Sequence, residues 1–149
     1  MVYYVIGMWN DPIIEKKGER EMEEGIINRL ELTVTEDRTA RAMGSGELDV
    51  FATPAMIALI EETCWRSVAY ELDEGCGTVG ISLDVKHVSA TPEGMKVACE
   101  SELTKIDGKK LTFSVKVYDE EGLIGEGTHE RFIVDNEKFM KKATAKKSC

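Results

Sequence analysis

Two acids stand side by side at Glu61 and Glu62, and their helical neighbours separate them. Glu62 has Arg66 four residues on, the spacing of a favourable surface pair. Glu61 has Ile57 and Ala58 behind it and Cys64 and Trp65 ahead of it, all apolar or nearly so. Glu62 therefore reads as solvated, and Glu61 as turned toward something packed. A carboxylate in apolar surroundings needs a partner or holds its proton more tightly, and such groups concentrate at functional sites. The bland reading puts Glu61 on a wet margin or against a lysine elsewhere. His87 is the second unusual group. It continues the alternation Val79, Ile81, Leu83, Val85, so its ring points where a strand's core face points. Taken alone, it reads as a buried histidine satisfied by a backbone carbonyl. Beside an inward Glu61, it completes an acid/base pair suited to neutral pH. Thr53 is the third. It precedes Pro54, and threonine is a good N-cap while proline is favoured at the first helical position. The same place sets a hydroxyl at a helix mouth, where unpaired N–H groups suit an oxyanion or a carbonyl oxygen. His129 lies among Gly125, Gly127 and Arg131 and reads as packing or as a subunit contact.

These residues need elements to hold them. A helix is expected from Thr53-Pro54 to about Tyr70, stopping before Gly75-Cys76-Gly77. One strand, residues 29–34, alternates ahead of it, with Leu30, Leu32 and Val34 on the apolar side. Strands after the helix show Val79 to His87 on one face, then Met95, Val97, Cys99 and Leu103, then Leu111, Phe113, Val115 and Val117. Asp107-Gly108 is a hairpin signal, and a last strand runs from about Leu123 to Val134. The helix is apolar over much of its circumference and must be buried. The predicted architecture is α+β, an antiparallel sheet wrapped around one long central helix. Such a sheet has open edges and a small core, which predicts a homodimer or a larger homo-oligomer.

Length and charge bound the rest. The chain has 149 residues, enough for one domain. That domain is read as residues 22–137. Residues 1–21, broken at Asp11-Pro12, are either an extra edge strand or a segment foreign to the native start at Met22. Residues 138–149 are a lysine-rich tail, read as a short helix fraying into solvent. A net charge of -9 argues against nucleic acid as a partner. No apolar run approaches the ~18–20 residues of a membrane helix. The four cysteines form no C-x-x-C pair and only two histidines accompany them, so no zinc site is expected. With no secretory leader, the thiols read as reduced and the protein as cytoplasmic.

Phe51-Ala52-Thr53, the helix with Glu61 and Cys64, Gly77-Thr78-Val79-Gly80, His87, Ala90-Thr91-Pro92 and Gly127-Thr128-His129-Glu130-Arg131 together resemble the hot-dog-fold thioesterases of the fluoroacetyl-CoA thioesterase type. The resemblance spans residues 29–139 and rests on motif order and spacing. It implies hydrolysis of an acyl-CoA thioester by a dimer or larger assembly, without a metal or redox cofactor. It carries the family's threonine, glutamate and histidine onto Thr53, Glu61 and His87 as catalytic residues. It carries a glycine of the substrate-carbonyl region onto Gly80, with Phe51 and Lys86 as further substrate-binding candidates. Lys86 and the tail lysines, Lys138 to Lys147, are candidates for the CoA phosphates, although the tail reads first as solvated surface. The family's aromatic- and proline-rich lid is absent: residues 41–50 hold no aromatic before Phe51. The implied activity is accordingly general short-chain acyl-CoA hydrolysis, not fluoroacetyl selectivity. The rival expectations are a non-catalytic acyl-CoA-binding module and a hot-dog dehydratase. The eight residues from Thr53 to Glu61 amount to about 12 Å of helix rise, which argues for a site shared between subunits.

Overall fold

The computed structural model describes residues 21–147. The proposed extra segment, residues 1–21, lies outside that range apart from Glu21. Strand β1, Ile27–Thr33, is followed by a one-turn helix, α1, Ala40–Met43, and then by α2, Thr53–Val68. Four long strands come next: β2, Cys76–His87; β3, Lys96–Asp107; β4, Lys110–Asp119; and β5, Leu123–Asp135. A short helix, α3, Asn136–Thr144, follows β5, every residue of it exposed. The strands form one sheet in the order β1-β3-β4-β5-β2, with all neighbours antiparallel. This is the helix-on-sheet, α+β hot-dog arrangement that the resemblance implies.

The core lies between α2 and the inner faces of the strands. Met56, Leu59, Ile60, Cys64 and Val68 of the helix meet Val97, Cys99 and Leu103 of β3 and Leu111, Phe113, Val115 and Val117 of β4. Each such side chain, fully buried, contributes about 1.5–3 kcal/mol by leaving water. The helix is less enclosed than its composition predicts. Ala58 and Trp65 stay exposed and Ile57 only partly buried, because the sheet covers one side of α2 and leaves this stripe open.

β2 departs from the simple alternation. Gly80 pairs with Arg131 while Ser82 pairs with Glu130, so Ile81 is an extra residue, a β-bulge. Residues directly opposite in an antiparallel ladder share a face. Leu83 faces with His129, and Gly80 with Arg131, on the inner side that Leu111 and Phe113 also line. Val79 is therefore turned to the outer face, opposite Phe132, and Thr78 and Gly80 are turned in. The expected single face from Val79 to His87 holds only beyond the bulge, at Leu83, Val85 and His87. One inserted residue reverses a period of two.

The segment between β1 and α2 is held by backbone bonds from Ala40 to the Val50 carbonyl and from Arg41 to the Leu48 carbonyl. Gly44 ends α1 with φ 73°, a left-handed conformation that favours glycine. Met43 and Leu48 are exposed there, and Arg41 pairs with Asp49 at 2.9 Å.

Candidate active site

Thr53 is the first residue of α2, and Ala52 occupies the N-cap. The Ala52 carbonyl accepts from the Met56 amide at 3.0 Å, the first bond of the helix. The expected cap thus moves back by one residue. The consequence is chemical: the Thr53 hydroxyl is not used on the helix and instead lies 2.8 Å from Nδ1 of His87. His87 reaches it from the end of β2. The buried Phe51 ring meets the imidazole edge-on, with centroids 6.4 Å apart, and so orients it. Nε2 of His87 is buried and makes no hydrogen bond of normal geometry within the described residues. Burial lowers the pKa of His87 below the ordinary 6.5, with the Ser89 backbone opposing. The ring is neutral at pH 7 and can accept a proton.

Glu61 lies two turns further along α2 in a second cluster. Its Oε2 accepts from Nη1 of Arg131 at 3.1 Å. The partner is an arginine of β5, not the lysine of the bland reading. The Glu61 side chain keeps 40% of its exposure while that of Arg131 keeps 7%, so the carboxylate sits on the margin of the core and the guanidinium inside it. Arg131 is held from behind. Nε donates to the Thr78 hydroxyl at 2.8 Å and Nη2 to the Thr78 carbonyl at 2.9 Å. Nη1 also meets Nε2 of His129 at 3.1 Å, and Nδ1 of His129 lies 2.8 Å from the Ser82 carbonyl. Burial is the main influence on His129 and lowers its pKa; Arg131 adds to this, against Ser82, Glu61 and Glu130. Gly80 closes the cluster. A Cβ there would lie 2.6 Å from Oε2 of Glu61, so a larger residue would push the carboxylate out of this position.

The structure therefore brings Thr53 to His87 and Gly80 to Glu61, and does not join the two pairs. Lys86 is exposed on the outer face, opposite Glu126, with its back to His87. Glu62 pairs with Arg66 at 2.9 Å on the solvated side. Cys64 and Cys99 are buried, and burial pushes both thiols up, Cys99 to about 11, so neither is a ready nucleophile. Arg131 and Thr78 were not among the expected site residues. The signal for Arg131 was its place two residues after His129, which puts both on one face of a strand.

A family model described as fluoroacetyl-CoA-specific thioesterase matches residues 34–137, most of the chain and both clusters. The chain belongs to that family. A fluoroacetyl-CoA thioesterase from Streptantibioticus cattleyicolor is 40% identical over 98 residues, 66% of this chain and 70% of that protein. The crystal structure of a mutant of the fluoroacetyl-CoA thioesterase in complex with acetyl-CoA superposes with a TM-score of 0.81 at 32% identity. It covers 85% of this chain and 99% of that one. A thioesterase superfamily member from Thermus thermophilus superposes with a TM-score of 0.79 at 27% identity, covering 87% and 96%.

Proposed function

We propose that the chain hydrolyses the thioester of a small acyl-CoA, adding water to give the free acid and CoA. The observation that carries this is the pairing of Thr53 with His87 at 2.8 Å, with the Glu61 carboxylate against Gly80 and Arg131 further along the same side of the sheet. Thioester hydrolysis needs an oxygen nucleophile and donors for the oxyanion. Glu61 supplies the first, by attacking the carbonyl itself or by taking a proton from water. The helix mouth at Thr53, or the backbone at Gly80, supplies the second. Neutral His87 moves protons, and Thr53 holds its ring or the substrate carbonyl. The CoA thiolate leaves readily without strong acid assistance. Acetyl-CoA in the relative's structure supports a small acyl group. The segment at residues 41–50, without an aromatic and with Met43 and Leu48 as its exposed large apolar side chains, argues against carrying fluoroacetyl selectivity to this chain. Free thiols at Cys64, Cys76 and Cys99 support a reducing, cytoplasmic setting. Among the described residues, no helix is long and apolar enough to cross a membrane.

The active unit is a homodimer in this reading. Eight residues of α2 separate Thr53 from Glu61 by about 12 Å, too far for one hydrogen-bonded relay. A second copy brings its own Thr53–His87 pair toward Glu61. The stripe of Ile57, Ala58 and Trp65 flanking Glu61, and the free edge of β2 with Ile81 and Leu83 exposed, are apolar surfaces that such a copy would cover.

The test is a panel of acyl-CoAs of increasing chain length mixed with the protein and a thiol-reactive dye. Free thiol appears with the short chains if the reading is right. Binding without thiol release would mean an acyl-CoA-binding module, and release of water from a hydroxyacyl-CoA would mean a dehydratase. Complementation tests the assembly. Inactive Glu61→Gln and His87→Ala chains, mixed under exchange, recover one site per heterodimer if the residues serve one site from two subunits. No recovery, or a fully active monomer in dilute ultracentrifugation, sinks the shared site.

A further inference from the structure

His129 is fully buried, and both of its ring nitrogens are committed. The Ser82 carbonyl can only accept, so Nδ1 carries the proton. The Arg131 guanidinium can only donate, so Nε2 carries the lone pair. The ring is thereby fixed as one neutral tautomer, and Phe113 stacks on it at 29° with centroids 6.4 Å apart. Arg131 in turn is gripped at both ends of its fork. Thr78 takes Nε and Nη2, and His129 takes one hydrogen of Nη1, which leaves the other for Glu61. A guanidinium is planar, so fixing these corners fixes the direction of the remaining N–H.

We propose that His129 is a positioning residue for the thioester hydrolysis proposed above: by accepting from Arg131 it aims the guanidinium at Oε2 of Glu61 and holds that carboxylate against Gly80. The inference rests on the thioesterase reading. Glu61 is half out of the core on a helix margin, and a long side chain there has rotamers to choose from. The bond from Arg131 selects one of them. It engages Oε2 alone and leaves the second carboxylate oxygen for the acyl carbon or for water. The competing role for His129 is structural: it would satisfy the Ser82 carbonyl beside the bulge at Ile81 and do nothing more.

Two variants separate these roles, because each keeps one of the two bonds. His129→Asn keeps a donor for Ser82 but is too short to reach Arg131. His129→Gln carries an acceptor out to Arg131 and gives up the Ser82 bond. The expected result is a fall in kcat of up to about a hundredfold for His129→Asn at little-changed KM, with His129→Gln restoring most of it. In an Arg131→Met background, His129→Asn should cost nothing further. Proton–nitrogen NMR of the Arg131 Nη1–H protons gives a readout without turnover: the protected signal persists in His129→Gln and is lost in His129→Asn. Full turnover in His129→Asn, equal losses in both variants, or multiplying losses with Arg131→Met would overturn the inference. Should His129→Asn not fold, His129→Phe keeps the ring volume against Phe113 and carries the same expected loss. Wild type that frees no thiol from any acyl-CoA would defeat the thioesterase reading instead, and the NMR signal would still decide whether His129 holds Arg131.

Discussion

The two ends of the inner face use one residue type in opposite ways. At the helix mouth, His87 has a hydroxyl 2.8 Å from one ring nitrogen and, on the other side, a buried nitrogen with no hydrogen bond of normal geometry among the described residues. Two turns along, His129 has both nitrogens engaged, one by a carbonyl and one by a guanidinium. Burial lowers the pKa of both, so both are neutral at pH 7. Their capacity differs all the same. His87 can gain a proton and pass it on. His129 cannot be protonated without losing its bond to Arg131 and setting a second positive charge against it. The difference teaches that a histidine's chemistry is set by what its two nitrogens are already doing, more than by its depth.

The largest effects should come from groups with freedom to react. Glu61→Gln and His87→Ala are each expected to lower thiol release from acyl-CoA by at least about a hundredfold, the low end for a general acid–base group. Near-wild-type turnover in either folded variant would remove that residue from the mechanism and collapse the contrast between the clusters. Thr53 sharpens the same contrast. If Thr53 and His87 act as one unit, a Thr53→Val, His87→Ala double variant should be no slower than His87→Ala alone. Multiplying losses in steady-state kinetics would show two independent roles.

A smaller effect concerns stability. Both histidines have folded pKa values below the free value of 6.5, so the unfolded chain takes up protons first as pH falls. Stability should be level above about pH 6.5 and decline below it, until pH passes the folded values. Thermal melts from pH 7.5 down to about pH 5 would show this, and a flat Tm would mean that the rings are far wetter than the structure has them. The smallest effect belongs to Glu62→Gln. Glu62 and Arg66 are a surface pair with side chains about half exposed, where such pairs contribute a few tenths of a kcal/mol. If Glu62→Gln abolished turnover and Glu61→Gln did not, the helix phase would be wrong by one residue and the site would move with it.

The elements were legible because each follows a local rule. Pro54 and the glycines after Tyr70 bracket α2, the Asp107-Gly108 turn joins β3 to β4, and alternation marks the inner residues of β4. The separation of Glu61 from Glu62 was legible for the same reason, since both neighbours lie within one helical turn. Two local details escaped. Thr53 is the first helical residue and not its cap, a shift of one position that frees the hydroxyl for His87. Ile81 is bulged out, which reverses the faces of Thr78, Val79 and Gly80. A bulge has no composition of its own, and nothing in an alternating run announces an inserted residue.

By itself, then, the sequence determined the α+β class and the order of the elements, and it singled out Glu61, His87 and Thr53 as candidates. These rest on periodicity, capping and turn chemistry, which act over a few neighbouring residues. Only the tertiary structure decided the pairings. Thr53 meets His87 across 34 positions and Arg131 meets Glu61 across 70, through the packing of α2 on a sheet whose last strand returns beside β2. It also decided that Nη1 of Arg131 meets Nε2 of His129, because a shared strand face only sets two side chains on one side, and the partners from other elements, Thr78, Ser82 and Glu61, fix how they turn. Such contacts are set by the closing of the whole sheet over the helix, and no local window of sequence contains them.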